Sequence, residues 1–164
     1  MSVLTRYQLR MAWPDQDEGL IARLKVACWR EAYIGILPQA LLDELSVRRS
    51  IMEWTRGLRE GIAWIAEQAG EPVGFGHMRR NEVTTLYVRA ADHGRGVGRE
   101  LLTHCFDEIG CLGHARAHLW VLEENRPARI FYDRMGGRPT ARRSVGFPRW
   151  PHIAEVCYDF RIGT

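Results

Sequence analysis

Residues 88–101 read VRAADHGRGVGREL, with glycine at 94, 96 and 98 and arginine at 95 and 99. Glycine has no Cβ, so it takes backbone conformations and close approaches that other residues do not. The residues before this loop, EVTTLYVR (82–89), are β-branched and aromatic and read as a strand. After it, Val97, Leu101, Leu102, Cys105 and Ile109 recur at helical spacing. A glycine loop that opens a helix suits an anion, because free N–H groups and the positive end of the helix dipole both favour negative charge. Two familiar phosphate loops do not fit. The nucleotide-hydrolase loop needs Gly-Lys-Ser/Thr, and Lys25 is the only lysine in the chain. The dinucleotide fingerprint GxGxxG needs glycine where Arg99 stands. From these residues alone, a phosphate cradle and a plain glycine turn both stand.

The segments on either side give the loop its setting. YQLRMAW (7–13) alternates as a first strand, stopped by Pro14 and Asp15. Asp15 with Glu18 fits a capping box, and Leu20, Ile21, Leu24, Ala27, Cys28 and Tyr33 then recur on one helical face. A short helix, QALLDEL, follows Pro38, and Ser46 caps a third helix running through Trp54 to Arg59. IAWIAEQ (62–68) and PVGFGHMR (72–79), joined by AGE, read as a hairpin. Downstream come a strand, ARAHLWVL (115–122), and a compact helix, ENRPARIFYDRMGG (124–137), ended by glycines. Two strands, TARRSV (140–145) and AEVCYDFR (154–161), close the chain. This order predicts one α/β (α+β) domain over residues 1–164, built around a mixed sheet.

Composition excludes several classes. The chain has 164 residues, 46% hydrophobic and 26% charged, a globular mixture long enough for a real core. It has no apolar run of membrane-spanning length and no signal-peptide core at its start, so a cytoplasmic protein without membrane partners is expected. The four cysteines form no CxxC pair and the six histidines show no ligand spacing, which argues against a metal. Net charge is +3, too small to argue for nucleic acid. Seven arginines and one acid, Asp133, lie between Arg126 and Arg149. Most of these read as solvated surface, with Arg129 or Arg134 available to phosphates and Arg142, Arg143 and Arg149 to an acidic acceptor.

HGRGVG after LYV, followed by RELL, resembles the coenzyme A loop of the GCN5-related N-acetyltransferase (GNAT) superfamily. The family pattern Gln/Arg-x-x-Gly-x-Gly/Ala falls on His93, Gly96 and Gly98, with His93 departing from the usual first residue. YQLRMAWPDQDEGL, CWREAYIGILP and ENRPARIFYDRMGGRP resemble further family segments in order and spacing. The resemblance implies a GNAT-like domain with a mixed, mostly antiparallel, twisted sheet of about seven strands flanked by about four to five helices. It also implies transfer of the acetyl group of acetyl-CoA to a primary amine by direct attack in a ternary complex. A catalytically weak acyl-CoA-binding sensor or interaction module is the alternative.

The same resemblance assigns residues. Leu86, Tyr87 and Val88 would present backbone groups to the pantetheine arm across a bulged, splayed strand pair, and His93, Gly94, Arg95, Gly96, Val97, Gly98 and Arg99 would cradle the pyrophosphate. Asn125, Ala128, Phe131 and Tyr132 form the second cofactor segment, with Asn125, Ala128 and Tyr132 on one helical face. Tyr132 is the candidate acid for the leaving thiolate. Glu82, fourteen residues before Gly96, is the candidate base. Trp29, Tyr33, Arg149 and Trp150 are candidates for the acceptor side. The acceptor itself stays open between a small-molecule amine and a peptide or protein amine. A homodimer is a further expectation, since pairing through the sheet is frequent in the superfamily.

Overall fold

A computed structural model describes residues 7–163. The ends of the expected 1–164 domain, residues 1–6 and 164, lie outside it. The elements run β1 (Gln8–Met11), α1 (Glu18–Ala32), α2 (Gln39–Asp43), α3 (Val47–Glu60), β2 (Ile62–Gln68), β3 (Glu71–Arg79) and β4 (Glu82–Val88). After a 3₁₀ turn (Ala90–Asp92) come α4 (Val97–Cys111), β5 (Arg116–Leu122), α5 (Arg126–Arg134), β6 (Arg138–Ser144) and β7 (Ala154–Arg161). The strands form one seven-stranded sheet in the order β1-β2-β3-β4-β5-β7-β6. All neighbours are antiparallel except β4 and β5, which are parallel.

Alternation along the strands sends side chains to two different cores. On one face α1 and α3 lay Ile21, Leu24, Cys28, Trp54 and Leu58 on Ile65 and Phe75. On the other, Leu102, Cys105 and Ile109 of α4 and Tyr132 of α5 pack on Leu119, Val121, Tyr158 and Phe160. Two β3 glycines let α4 come close. A Cβ at Gly74 would lie 3.2 Å from Leu101 Cδ1 and 2.7 Å from the Tyr87 carbonyl, and one at Gly76 would lie 3.1 Å from Cys105 Sγ. The edge strand β6 is exposed along its whole length.

The entrance to α1 differs from the capping box read in the sequence. Glu18 does reach back, accepting from Asp15 N at 2.6 Å. Asp15, however, takes a positive φ of 66° and gives its carboxylate to Arg59 at 2.7 Å. The residue that ties strand to helix is Asp17, buried, which accepts from Trp13 N and from both Nη groups of Arg10. These bonds hold its carboxyl below the usual range. A carboxylate with a fork of arginine donors beside it is used there, in preference to the weaker local cap.

Candidate functional site

The centre of the sheet is split. Arg89 N donates to Val73 O at 2.9 Å, which sets the hydrogen-bonding phase of β4 on β3. Tyr87, opposite Phe75, follows that phase. Leu86 and Val88, opposite Gly76 and Gly74, turn their N–H and C=O groups towards β5. Yet β4 and β5 register at one pair, Glu82 with His118. Beyond it the strands diverge, and the Leu86 and Val88 edge faces a cleft. The bend comes from a bulge: Met78 pairs with Val83 and His77 with Thr85, leaving Thr84 as an extra residue in β4.

His77 pins that bulge from beneath. It is buried; its Nε2 lies 3.0 Å from Gly57 O and its Nδ1 hydrogen-bonds Thr84 Oγ1. A carbonyl only accepts, so Nε2 carries a proton, and in the neutral ring that burial favours Nδ1 then accepts from the threonine. The ring is neutral in this role, and burial lowers its pKa accordingly.

The glycine loop closes one end of the cleft. Gly94 and Gly96 hold positive φ, 73° and 91°, and a Cβ on either would meet nothing within 4 Å. They are glycine for backbone shape, with open space beside them. Gly96 caps α4 without a side-chain partner, and the first helical bond runs from Glu100 N to Gly96 O. The N–H groups of Val97, Gly98 and Arg99 are thus left for an outside acceptor. Arg95 reaches Asp92 at 3.4 Å and is otherwise exposed, as is Arg99. The off-pattern His93 places Nε2 2.8 Å from Val88 O, on the edge that faces the cleft.

α5 lines the other side. Phe131 stands beside Gly98: a Cβ there would lie 3.5 Å from its Cζ. Tyr132 is buried against Tyr158 and Phe160, and burial first, then Tyr33 and Cys105, push its hydroxyl well above the usual tyrosine range. Ala128 packs on the same core. Asn125 stands at the start of α5. Its Oδ1 caps α5 through Ala128 N at 3.3 Å, so the carbonyl is spent on the helix. Arg129, a candidate for phosphates, is turned to Glu123 O and Tyr158 OH.

On the acceptor side the expected residues separate. Trp29 and Tyr33 converge on Tyr87: Trp29 Nε1 donates to the Tyr87 hydroxyl, and the two tyrosine oxygens lie 3.3 Å apart. Burial raises the pKa of both tyrosines. Arg149 and Trp150 do not join them; Arg149 stacks on Trp150 and pairs with Glu44 at 3.1 Å. Glu82 is half-buried with Oε2 4.0 Å from His118 Nε2. At the level of the sequence, His118 is weighed only as a metal ligand, and the Tyr87 hydroxyl has no assigned role. Alternation in ARAHLWVL was the available signal for His118, because it sets His118 and Trp120 opposite the buried Ala117, Leu119 and Val121.

The residues present fit coenzyme A. The unpaired Leu86–Val88 edge suits the amide-bearing arm, the open glycines and α4 N–H groups suit the pyrophosphate, and Arg95 and Arg99 add positive charge. A cavity of about 190 Å³ lined by Trp54, His77 and Thr84 lies at the other end of β4 and is a separate feature. Among the described residues no group of three or more His, Cys, Asp or Glu side chains is placed to hold a metal ion, and no helix is long and apolar enough to cross a membrane.

Residues 59–136 match the model of an acetyltransferase (GNAT) domain. The chain is 29% identical to a probable N-acetyltransferase of Mycobacterium tuberculosis, over 92% of this chain and 93% of that one. Its fold matches the crystal structure of a GCN5-related N-acetyltransferase from Rhodopseudomonas palustris, with a TM-score of 0.84 at 20% identity over 99% of both chains. It also matches the PaiA N-acetyltransferase of Thermoplasma acidophilum, solved in complex with coenzyme A, with a TM-score of 0.73 at 15% identity over 94% of this chain and 99% of that one. The domain match spans the bulged strand, the glycine loop and α5, the parts that build the cleft, and both the sequence and the fold are similar to those of GCN5-related N-acetyltransferases.

Proposed function

We propose that the protein is an acetyl-CoA-dependent N-acetyltransferase that transfers the acetyl group to a primary amine by direct attack in a ternary complex. The observation that carries this reading is the splay after Glu82–His118, which leaves the Leu86–Val88 edge unpaired beside Tyr132 and the glycine loop. When bound, acetyl-CoA supplies an activated acyl thioester. The chain's own groups do the rest. Leu86 and Val88 hold the arm as a neighbouring strand would, and one of their N–H groups polarises the thioester carbonyl. Gly94 to Arg99 hold the pyrophosphate. Glu82, with His118 beside it, takes the amine's proton through water as the amine attacks. Tyr132 keeps its proton across the working pH range because burial disfavours its anion, and it is the hydrogen donor to the sulfur as the thiolate leaves.

Two residues of the cofactor segments also act through contacts within the chain. Asn125 contributes to the site by fixing the start of α5, and so the place of Tyr132. His93 contributes through the Val88 carbonyl, which must exchange the imidazole for the arm's donor.

The test is product formation from acetyl-CoA across primary amines: amino acids, polyamines, aminoglycosides, and peptides with free N-termini or lysines. Acetylated product with stoichiometric free thiol is expected for at least one class. Tight coenzyme A binding with no transfer to any acceptor would favour the sensor module instead. Glu82→Gln should lower kcat/KM by about 100-fold and flatten its rise with pH; an unchanged pH profile would remove Glu82 as base.

A further inference from the structure

Resting on that reading, we propose that Arg143 is the acceptor-recognition residue and that the acceptor is an amine bearing a carboxylate, of the amino-acid type. The face of the sheet opposite α4 and α5 carries, in register, Leu122, Glu155 and Arg143 in one row, Trp120 and Cys157 in the next, and Glu82, His118 and Asp159 in the third. Arg143 starts on the edge strand and crosses β7 to reach Trp120. Its guanidinium carbon lies 3.8 Å from the centroid of the indole ring, and its Nε donates to Glu155 Oε1. Stacking fixes the plane and the Nε bond fixes rotation within it. The two Nη groups make no hydrogen bond among the described residues. The result is a guanidinium held in one orientation with its carboxylate-matching edge free, so less side-chain entropy is lost on binding an anion.

Neighbouring arginines are spent differently. Arg142 gives Nε and Nη2 to Glu123, and Arg149 pairs with Glu44. Arg143 also stands where an acceptor would. The register sets it on the face that carries Glu82 and His118, with Trp120 and Cys157 in the row between. A carboxylate seated on Arg143 leaves the amine end of the same molecule directed along the sheet to Glu82 and His118. A fork of two N–H donors on a carboxylate contributes through charge-assisted bonds that an amide cannot reproduce.

The experiment compares free amino acids with their C-terminal amides as acceptors, in the wild type, Arg143→Gln and Arg142→Gln. The wild type should favour acids over amides by at least about tenfold in kcat/KM. Arg143→Gln should collapse that ratio towards one, and Arg142→Gln should preserve it. Equal use of acids and amides by the wild type, or a ratio that survives Arg143→Gln, would overturn the assignment. Calorimetry of the same amino acids with the protein alone reads the site independently of catalysis. Binding that Arg143→Gln abolishes would uphold the site even if no acetyl transfer occurred, which would count against the enzyme reading only. No binding by the wild type and no acid preference together would sink the site while leaving the enzyme reading intact.

Discussion

Tyr132 is buried on the α4 and α5 side of the sheet, and desolvation keeps its hydroxyl protonated. On the proposed mechanism such a donor would act on the departing sulfur and add little to holding the cofactor. Tyr132→Phe should therefore lower kcat on the order of 100-fold while the Kd for acetyl-CoA, measured by calorimetry, changes less than about threefold. Equal turnover in the variant would remove Tyr132 from the mechanism. The motif read from the sequence named this residue, but not its surroundings. Nothing in ENRPARIFYDRMGG says that Tyr158 and Phe160 pack against its ring, because both come from a distant segment. Asn125 shows the reverse case. Its place in the motif is legible, yet its carbonyl caps a helix start, a local bond that any Asn at an N-cap is apt to make.

At the scale of elements, the loop and α4 act as one unit. Gly96 holds φ at 91° in open space, so a side chain there costs backbone strain and meets no clash. Gly96→Ala should cost about 1–2 kcal/mol locally and turn the α4 N–H groups away from their acceptor. Coenzyme A affinity should fall about tenfold or more, while the urea midpoint moves slightly. Unaltered affinity would mean that the pyrophosphate does not sit there. Strand and helix spans were largely readable, because period 2 and period 3.6 are local properties of the chain. The exceptions sit at ends. β1 is shorter than YQLRMAW suggests, and Asp17 with Arg10 replaces the capping box. Both follow from pairing with other segments.

For the whole molecule, the bulge that opens the cleft depends on a neutral His77. Its pKa in the folded state lies below its ordinary value, through burial. The unfolded chain therefore takes up a proton near pH 6.5 before the folded one does. This stability is complete above that pH and is lost as pH falls towards the folded-state pKa. Urea titrations between about pH 7 and 5 should show a decline for the wild type that is smaller in His77→Gln; parallel slopes would show that His77 does not couple to folding. On the proposed reading the cofactor is a cross-strand element of the split sheet. Coenzyme A at about 100 times its Kd should contribute about 2.7 kcal/mol, a rise of about 5–10 °C in Tm for a chain of this size. No thermal shift would argue against binding in the cleft.

By itself the sequence determined most strand and helix spans and the positive-φ glycine loop, since each is written in consecutive residues whose periodicity or backbone needs are local. Only the tertiary structure decided what these parts face. The splay follows from one extra residue, Thr84, held by a histidine that α3 covers. Trp29, Tyr33 and Tyr87 meet because α1 lies across β4. Arg143 differs from Arg142 solely in which side of an edge strand it leaves, and that side is set by pairing with β7. Register and layer packing join residues far apart in the chain, and local spacing carries no record of those contacts.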